Sequence, residues 1–89
     1  MEEMHIFVSG IVQGVGFRAA MKKLAMELQI TGYVRNLPDG RVEICAQGTS
    51  SQLSALLKAV QEKPGVDQVA TKPRRPGKLF GSFEIVRES

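Results

Sequence analysis

Hydrophobic positions along the chain change period several times, and each change marks an element. His5 to Val12 is dense in β-branched and aromatic residues and is bounded by glycine, which reads as a strand. From Phe17 the period lengthens. Phe17, Met21, Leu24, Ala25 and Leu28 fall at i, i+4, i+7, i+8 and i+11, one face of a helix over about Arg18 to Gln29. Thr31 to Asn36 is a short second strand. Leu37-Pro38-Asp39-Gly40 is turn chemistry, because proline fixes one backbone angle and Asp-Gly tolerates positive φ. Arg41 to Gln47 then alternates, with Val42, Ile44 and Ala46 on one face and Glu43, Cys45 and Gln47 on the other. This predicts a half-buried strand antiparallel to the one before it.

Thr49-Ser50-Ser51-Gln52 fits a capping box, and Leu53, Leu56, Leu57 and Val60 follow at helical spacing until Pro64-Gly65. Val66 to Lys72 reads as a strand with broken alternation, consistent with a bulge. Ser82 to Arg87 is a last strand with Phe83 and Ile85 on one face. The order is β-α-β-β-α-β with an extra C-terminal strand. The expected architecture is a single ferredoxin-like α+β domain over 1–89, with two helices on one face of an antiparallel sheet. That fold hosts enzymes, RNA binders and regulators alike, so it leaves function open.

Composition narrows the class. The chain has 89 residues, 43% hydrophobic and 24% charged, which suits one globular domain. No apolar run approaches membrane-spanning length, and the acidic start MEEMHIF is unlike a signal peptide. The lone Cys45 cannot form an internal disulfide. These features lead us to expect a soluble, cytoplasmic chain. The net charge of +3 is uneven, because Lys72, Arg74, Arg75 and Lys78 crowd into KPRRPGK. Two prolines and a glycine make that window a loop, either simply solvated or steering an anion.

GIVQGVGFR (10–18) carries the candidate chemistry. It lies between a strand and a helix N-terminus, where unpartnered N–H groups and the helix dipole favour anions. Gly14 and Gly16 let the backbone turn sharply and converge its amides, and Arg18 adds a planar fork of donors. Together they suit a tetrahedral oxyanion. A plain strand-to-helix turn is an equal reading on spacing alone. Gly14-x-Gly16-x-x-Ala19 also matches a dinucleotide fingerprint, with Asp39 at a plausible distance. The tight hairpin that follows argues against a parallel βαβ unit, and no Walker A lysine is present.

GIVQGVGFR together with TGYVRNLPDGRVE (31–43) resembles the paired signature of the acylphosphatases, in order, spacing and length, down to the closing F-x-I at 83–85. The resemblance implies hydrolysis of a carboxyl–phosphate anhydride to a carboxylate and inorganic phosphate, without metal or cofactor. At the matching positions Arg18 would bind the phosphate and Asn36 would position the attacking water. Backbone amides of Gln13, Gly14, Val15, Gly16, Phe17 and Arg18 would complete the cradle. The implied partner is a small-molecule acyl phosphate, and phosphate or sulfate could occupy the same place in a monomeric protein. Without the resemblance, an asparagine before a turn more often caps backbone groups. Its sharing a face with Val34 supports a role.

The remaining residues have plainer readings. His5 is expected at a surface or edge position, and Cys45 on the less covered sheet face, where it is a poor nucleophile. Met4, Met21 and Met26 read as packing residues, Tyr33 as a surface aromatic, and Arg35 and Arg41 as solvated charges beside the hairpin. Gln29 stands where the family commonly has glycine, at the end of the first helix. It should either adopt the left-handed conformation at a cost of about 1 kcal/mol or end the helix differently. Two non-enzymatic readings compete: a nucleic-acid-binding module using KPRRPGK, for which exposed aromatics are few, and an anion sensor without turnover.

Overall fold

The structure is a computed structural model that describes residues 1–87. It contains β1 (Glu2–Gly10), α1 (Phe17–Glu27), β2 (Thr31–Asn36), β3 (Val42–Gly48), α2 (Ser50–Gln61), β4 (Val66–Arg74) and β5 (Phe83–Val86). The strands form one sheet in the order β4-β1-β3-β2-β5. β1 and β2 both run antiparallel to β3, so they are parallel to each other and need a crossover, which α1 supplies. β3 and β4 both run antiparallel to β1, and α2 supplies that crossover. This is the ferredoxin-like α+β arrangement. The extra strand β5 joins parallel to β2, so the sheet is mixed where a wholly antiparallel one was expected. Local alternation predicts a strand, but its partner and direction depend on where the chain returns after β4.

Both helices pack on one face. Ile6, Val8, Val34, Val42, Ile44 and Ala46 meet Met21, Ala25, Leu53, Leu56 and Val60 in a single core. Each fully buried aliphatic side chain there contributes about 1.5–3 kcal/mol. The capping box at α2 forms as expected, with Thr49 Oγ1 accepting from Gln52 N and Gln52 Oε1 accepting from Thr49 N. A bulge at Asp67 explains the broken alternation of β4: Ser9 faces Gln68, but Gly10 faces Val66. Gly10 also approaches the backbone of Gly65 too closely for any side chain, and Ile11 N donates to Gly65 O at 2.8 Å. This pins the end of β1 just before the glycine loop. No helix of the described residues is long and apolar enough to cross a membrane.

The second face of the sheet departs from expectation. His5 is not at the surface or an edge. It sits buried on the interior strand β1, beside buried Glu3, Glu43, Cys45 and Gln47. The chain between β4 and β5 covers this face. Gln47 accepts from Phe80 N and donates to Lys78 O, while the Phe80 ring packs edge-on against Tyr33 at 5.7 Å. Strand alternation cannot reveal a cover that arrives from 31 to 33 residues downstream of Gln47. KPRRPGK is also only partly loop, since Lys72, Pro73 and Arg74 extend β4. Pro73 is tolerated there because β4 is an edge strand.

Gln29 adopts φ 60, the left-handed conformation. Gln29 N donates to Met26 O at 3.1 Å and Ile30 N to Ala25 O at 2.8 Å, which is a complete Schellman closure built without glycine. Gln29→Gly should therefore raise stability by about 0.5–1 kcal/mol. In a domain of this size that is roughly 2–8 °C in Tm by thermal denaturation. An unchanged or lowered Tm would show that the conformation carries no strain.

Candidate active site

The glycine loop leaves β1 and enters α1 through two left-handed residues, Gly14 at φ 73 and Gly16 at φ 79. Only glycine takes this conformation without cost, and open space lies beside both positions. Gly16 is the N-cap of α1, and the helix start has neither a side-chain cap nor an acidic residue in its first turn. No acidic side chain of that turn offsets its first amides and its dipole. A cavity of about 170 Å³ opens at this point. Val12, Phe17 and Ile85 supply its apolar wall, and the backbone of Gly14 and Gly16 with the side chains of Arg18 and Arg87 supplies its polar one.

The predicted site residues are distributed as follows. Gly14, Gly16, Phe17 and Arg18 line the cavity, whereas Gln13, Val15 and Asn36 do not. Val15 is exposed, and the Phe17 ring is buried in the core. Asn36 is the last residue of β2, paired with Val42. Its Oδ1 is buried and has no hydrogen-bond partner among the described residues. An orphaned buried acceptor is costly, so this atom is suited to receive a donor such as a water O–H.

Two contributions escaped the sequence reading, which takes Gln13 only for its backbone amide. Gln13 acts through its side chain: Nε2 donates to Leu37 O at 2.9 Å and to Arg41 O at 3.0 Å. These bonds tie the glycine loop to the β2–β3 hairpin beside Asn36. The signal was an amide with two donors inside a loop otherwise built of small and apolar residues. Gln13→Ala should leave the fold intact but free the loop, lowering kcat/KM for an acyl phosphate about 10–100-fold. Steady-state kinetics with circular dichroism as the folding control would check this. Arg87 was the other omission. It shares its strand parity with Ile85, which carries it to the same cavity.

Arg35 and Arg41 have structural partners. Arg35 Nε donates to Glu43 at 2.6 Å and stacks on Tyr33, while Arg41 Nε donates to Asp39 at 2.8 Å and lies over Phe7. The aromatics of the second face, Phe7, Tyr33 and Phe80, each have a cation over the ring. Burial pushes the Cys45 thiol up to about 12, and the Glu3 and Glu43 carboxylates add to this. The folded thiol stays protonated near neutrality. We expect iodoacetamide at pH 8 to spare Cys45 in native protein and to label it after unfolding, as read by mass spectrometry.

Comparison with known proteins agrees with this geometry. The family model for Acylphosphatase matches residues 4–85. An acylphosphatase of Marinobacter nauticus is 54% identical over 82 residues, covering 89% of both chains. One of Archaeoglobus fulgidus is 44% identical over 87 residues, covering 96% of this chain and 98% of the relative. The crystal structure of acylphosphatase from Bacillus subtilis superposes with a TM-score of 0.92 at 36% identity, covering 97% of this chain and 99% of that one. The glycine loop with its arginine, the asparagine at the end of β2 and these likenesses over nearly the full length lead to one conclusion: the chain belongs to the acylphosphatase family.

Proposed function

We propose that this chain hydrolyses small acyl phosphates to a carboxylate and inorganic phosphate, using Arg18 and the amides of Gln13 to Arg18 to hold the phosphoryl group. The observation that carries this reading is the left-handed glycine loop opening, with Arg18, onto one cavity at the N-terminus of α1. Arg87 lines the same cavity and adds a positive charge that draws the anion in. Asn36 holds the attacking water. Its Oδ1 accepts from the water, and its NH₂ donates to a phosphate oxygen.

Such a site needs few groups. The leaving carboxylate has a conjugate acid with pKa of roughly 4, so it departs without a general acid. Phosphoryl transfer passes through a loose transition state, and positioning with charge stabilisation supplies most of the catalysis. Asn36 cannot remove a proton at neutral pH. The substrate's own phosphoryl oxygen takes the water proton as the P–O bond to the acyl group breaks. The protein works as a cytoplasmic monomer, and inorganic phosphate or sulfate competes for the same cradle.

Isotope labelling tests this reading. In ¹⁸O-water with EDTA, acetyl phosphate should yield unlabelled acetate and singly labelled phosphate. Label in the acetate, or no turnover by folded protein, would overturn it.

A further inference from the structure

The covered face of the sheet holds a cluster that hydrolysis does not use. Glu3 and His5 stand on β1, and the register sets His5 directly opposite Cys45 on β3. All three are more than nine-tenths buried: Glu3 is 7% exposed, His5 8% and Cys45 2%. His5 Nε2 lies 2.8 Å from Glu3 Oε2 and 3.5 Å from Cys45 Sγ, and one ligand atom from each residue falls within 4.8 Å of the others. Three heteroatoms thus converge on one point, where a single imidazole nitrogen faces both a carboxylate and a thiol.

We propose that Glu3, His5 and Cys45 bind a Zn²⁺ ion on this face. The donor set of one carboxylate oxygen, one imidazole nitrogen and one thiolate sulfur is among those Zn²⁺ accepts. With Zn–S of about 2.3 Å and Zn–N of about 2.0–2.1 Å, tetrahedral ligands lie roughly 3.5 Å apart. The observed Sγ to Nε2 distance is 3.5 Å. The carboxylate oxygen has to open by about 0.5 Å from the imidazole to reach tetrahedral spacing, and it already lies within 4.8 Å of Sγ. Binding displaces the Cys45 proton and leaves the thiolate on the metal.

The surroundings are those of a metal ligand shell. A histidine that ligates through Nε2 ordinarily donates its Nδ1–H to a carboxylate. Here His5 Nδ1 faces Glu43 Oε2 at 3.2 Å, and Glu43 is in turn held by Arg35 at 2.6 Å. The other Glu3 oxygen accepts from Gln47 Nε2 at 2.8 Å. The charges also balance. Arg35 pairs Glu43, while one Zn²⁺ with the Glu3 carboxylate and the Cys45 thiolate is neutral. The fourth position is left for water, which makes three protein ligands in all. The site is separate from the glycine loop: His5 points to the opposite face from Ile6, and Gly10 is five residues away, about 17 Å along the strand.

The test is a titration of EDTA-treated, desalted protein with Zn²⁺ against a chromophoric chelator, and with Co²⁺ as a spectroscopic stand-in. One ion per chain should bind, with a thiolate-to-cobalt charge-transfer band. Apparent affinity should rise about tenfold per pH unit from 6 to 8, because one thiol proton is released. Cys45→Ser should weaken binding at least about 100-fold, and Glu43→Gln, which leaves the ligands in place, about 10–100-fold. Zn²⁺ should raise the Tm of the wild type but not of Cys45→Ser. The cobalt spectrum needs only wild-type protein, so misfolding of a variant does not blunt the test. Absence of stoichiometric binding by folded wild type, absence of the charge-transfer band, or binding unchanged in Cys45→Ser would each overturn the proposal.

Discussion

Arg18→Ala should lower kcat/KM for acetyl phosphate at least about 10³-fold and remove competitive inhibition by inorganic phosphate. The magnitude follows from what the side chain supplies. A single preorganised donor at developing charge is worth about 10²–10³. The guanidinium offers two parallel donors and a full positive charge, and charge-assisted bonds are roughly twice as strong as neutral ones. Arg18 sits in the first turn of α1, where the backbone amides and helix dipole would act on the same bound anion. Both substrate binding and the transition state therefore suffer. Arg18→Lys keeps the charge but loses the planar fork, so it should recover only part of the activity. Arg18 is half-buried and outside the main core cluster, so thermal denaturation should show a folded variant. Full activity in folded Arg18→Ala would remove the arginine from the site.

Asn36→Ala should lower kcat about 10²–10³-fold while raising KM and weakening phosphate inhibition only a few-fold, because one neutral donor to the phosphate is lost and Arg18 with the loop amides remains. The split distinguishes a water-positioning residue from one that binds substrate. Its Oδ1 is a buried acceptor with no partner among the described residues, so removing it breaks no bond within them. The backbone pairing of Asn36 with Val42 does not depend on the side chain, and stability should change little. Asn36→Asp should not rescue the loss. It restores an acceptor but sets a carboxylate beside a phosphate dianion. Asn36→Ala with raised KM and unchanged kcat would assign the residue to substrate binding instead.

Most elements were legible because local rules and tertiary structure agree. The period change at Phe17, the Pro-Asp-Gly turn and the Thr49–Gln52 capping box each predict an element that forms, with boundaries within a few residues. The parity of Val34 and Asn36 placed both on one face of β2. Failures occurred where distant segments meet. His5 read as peripheral because nothing local announces that Lys78 to Phe80 will close over the sheet. The parallel docking of β5 and the side-chain clamp of Gln13 on the hairpin are also contacts of long sequence separation. The sharp turns of the glycine loop were legible from its glycines, since Gly14 and Gly16 both adopt positive φ. Its substrate class came from the paired motifs, since no local rule distinguishes an acyl phosphate from another phosphate. Gln29 shows that a family glycine can be replaced when the closure bonds are kept.

The most direct test of the account is the rate of acetyl phosphate hydrolysis by folded wild-type protein, measured with excess EDTA from pH 5.5 to 8.5. We predict turnover that is nearly flat in pH across neutrality, because neither Arg18 nor Asn36 exchanges a proton and the substrate accepts the proton of water. No turnover, or a bell with a limb near the ordinary histidine value of about 6.5, would contradict it.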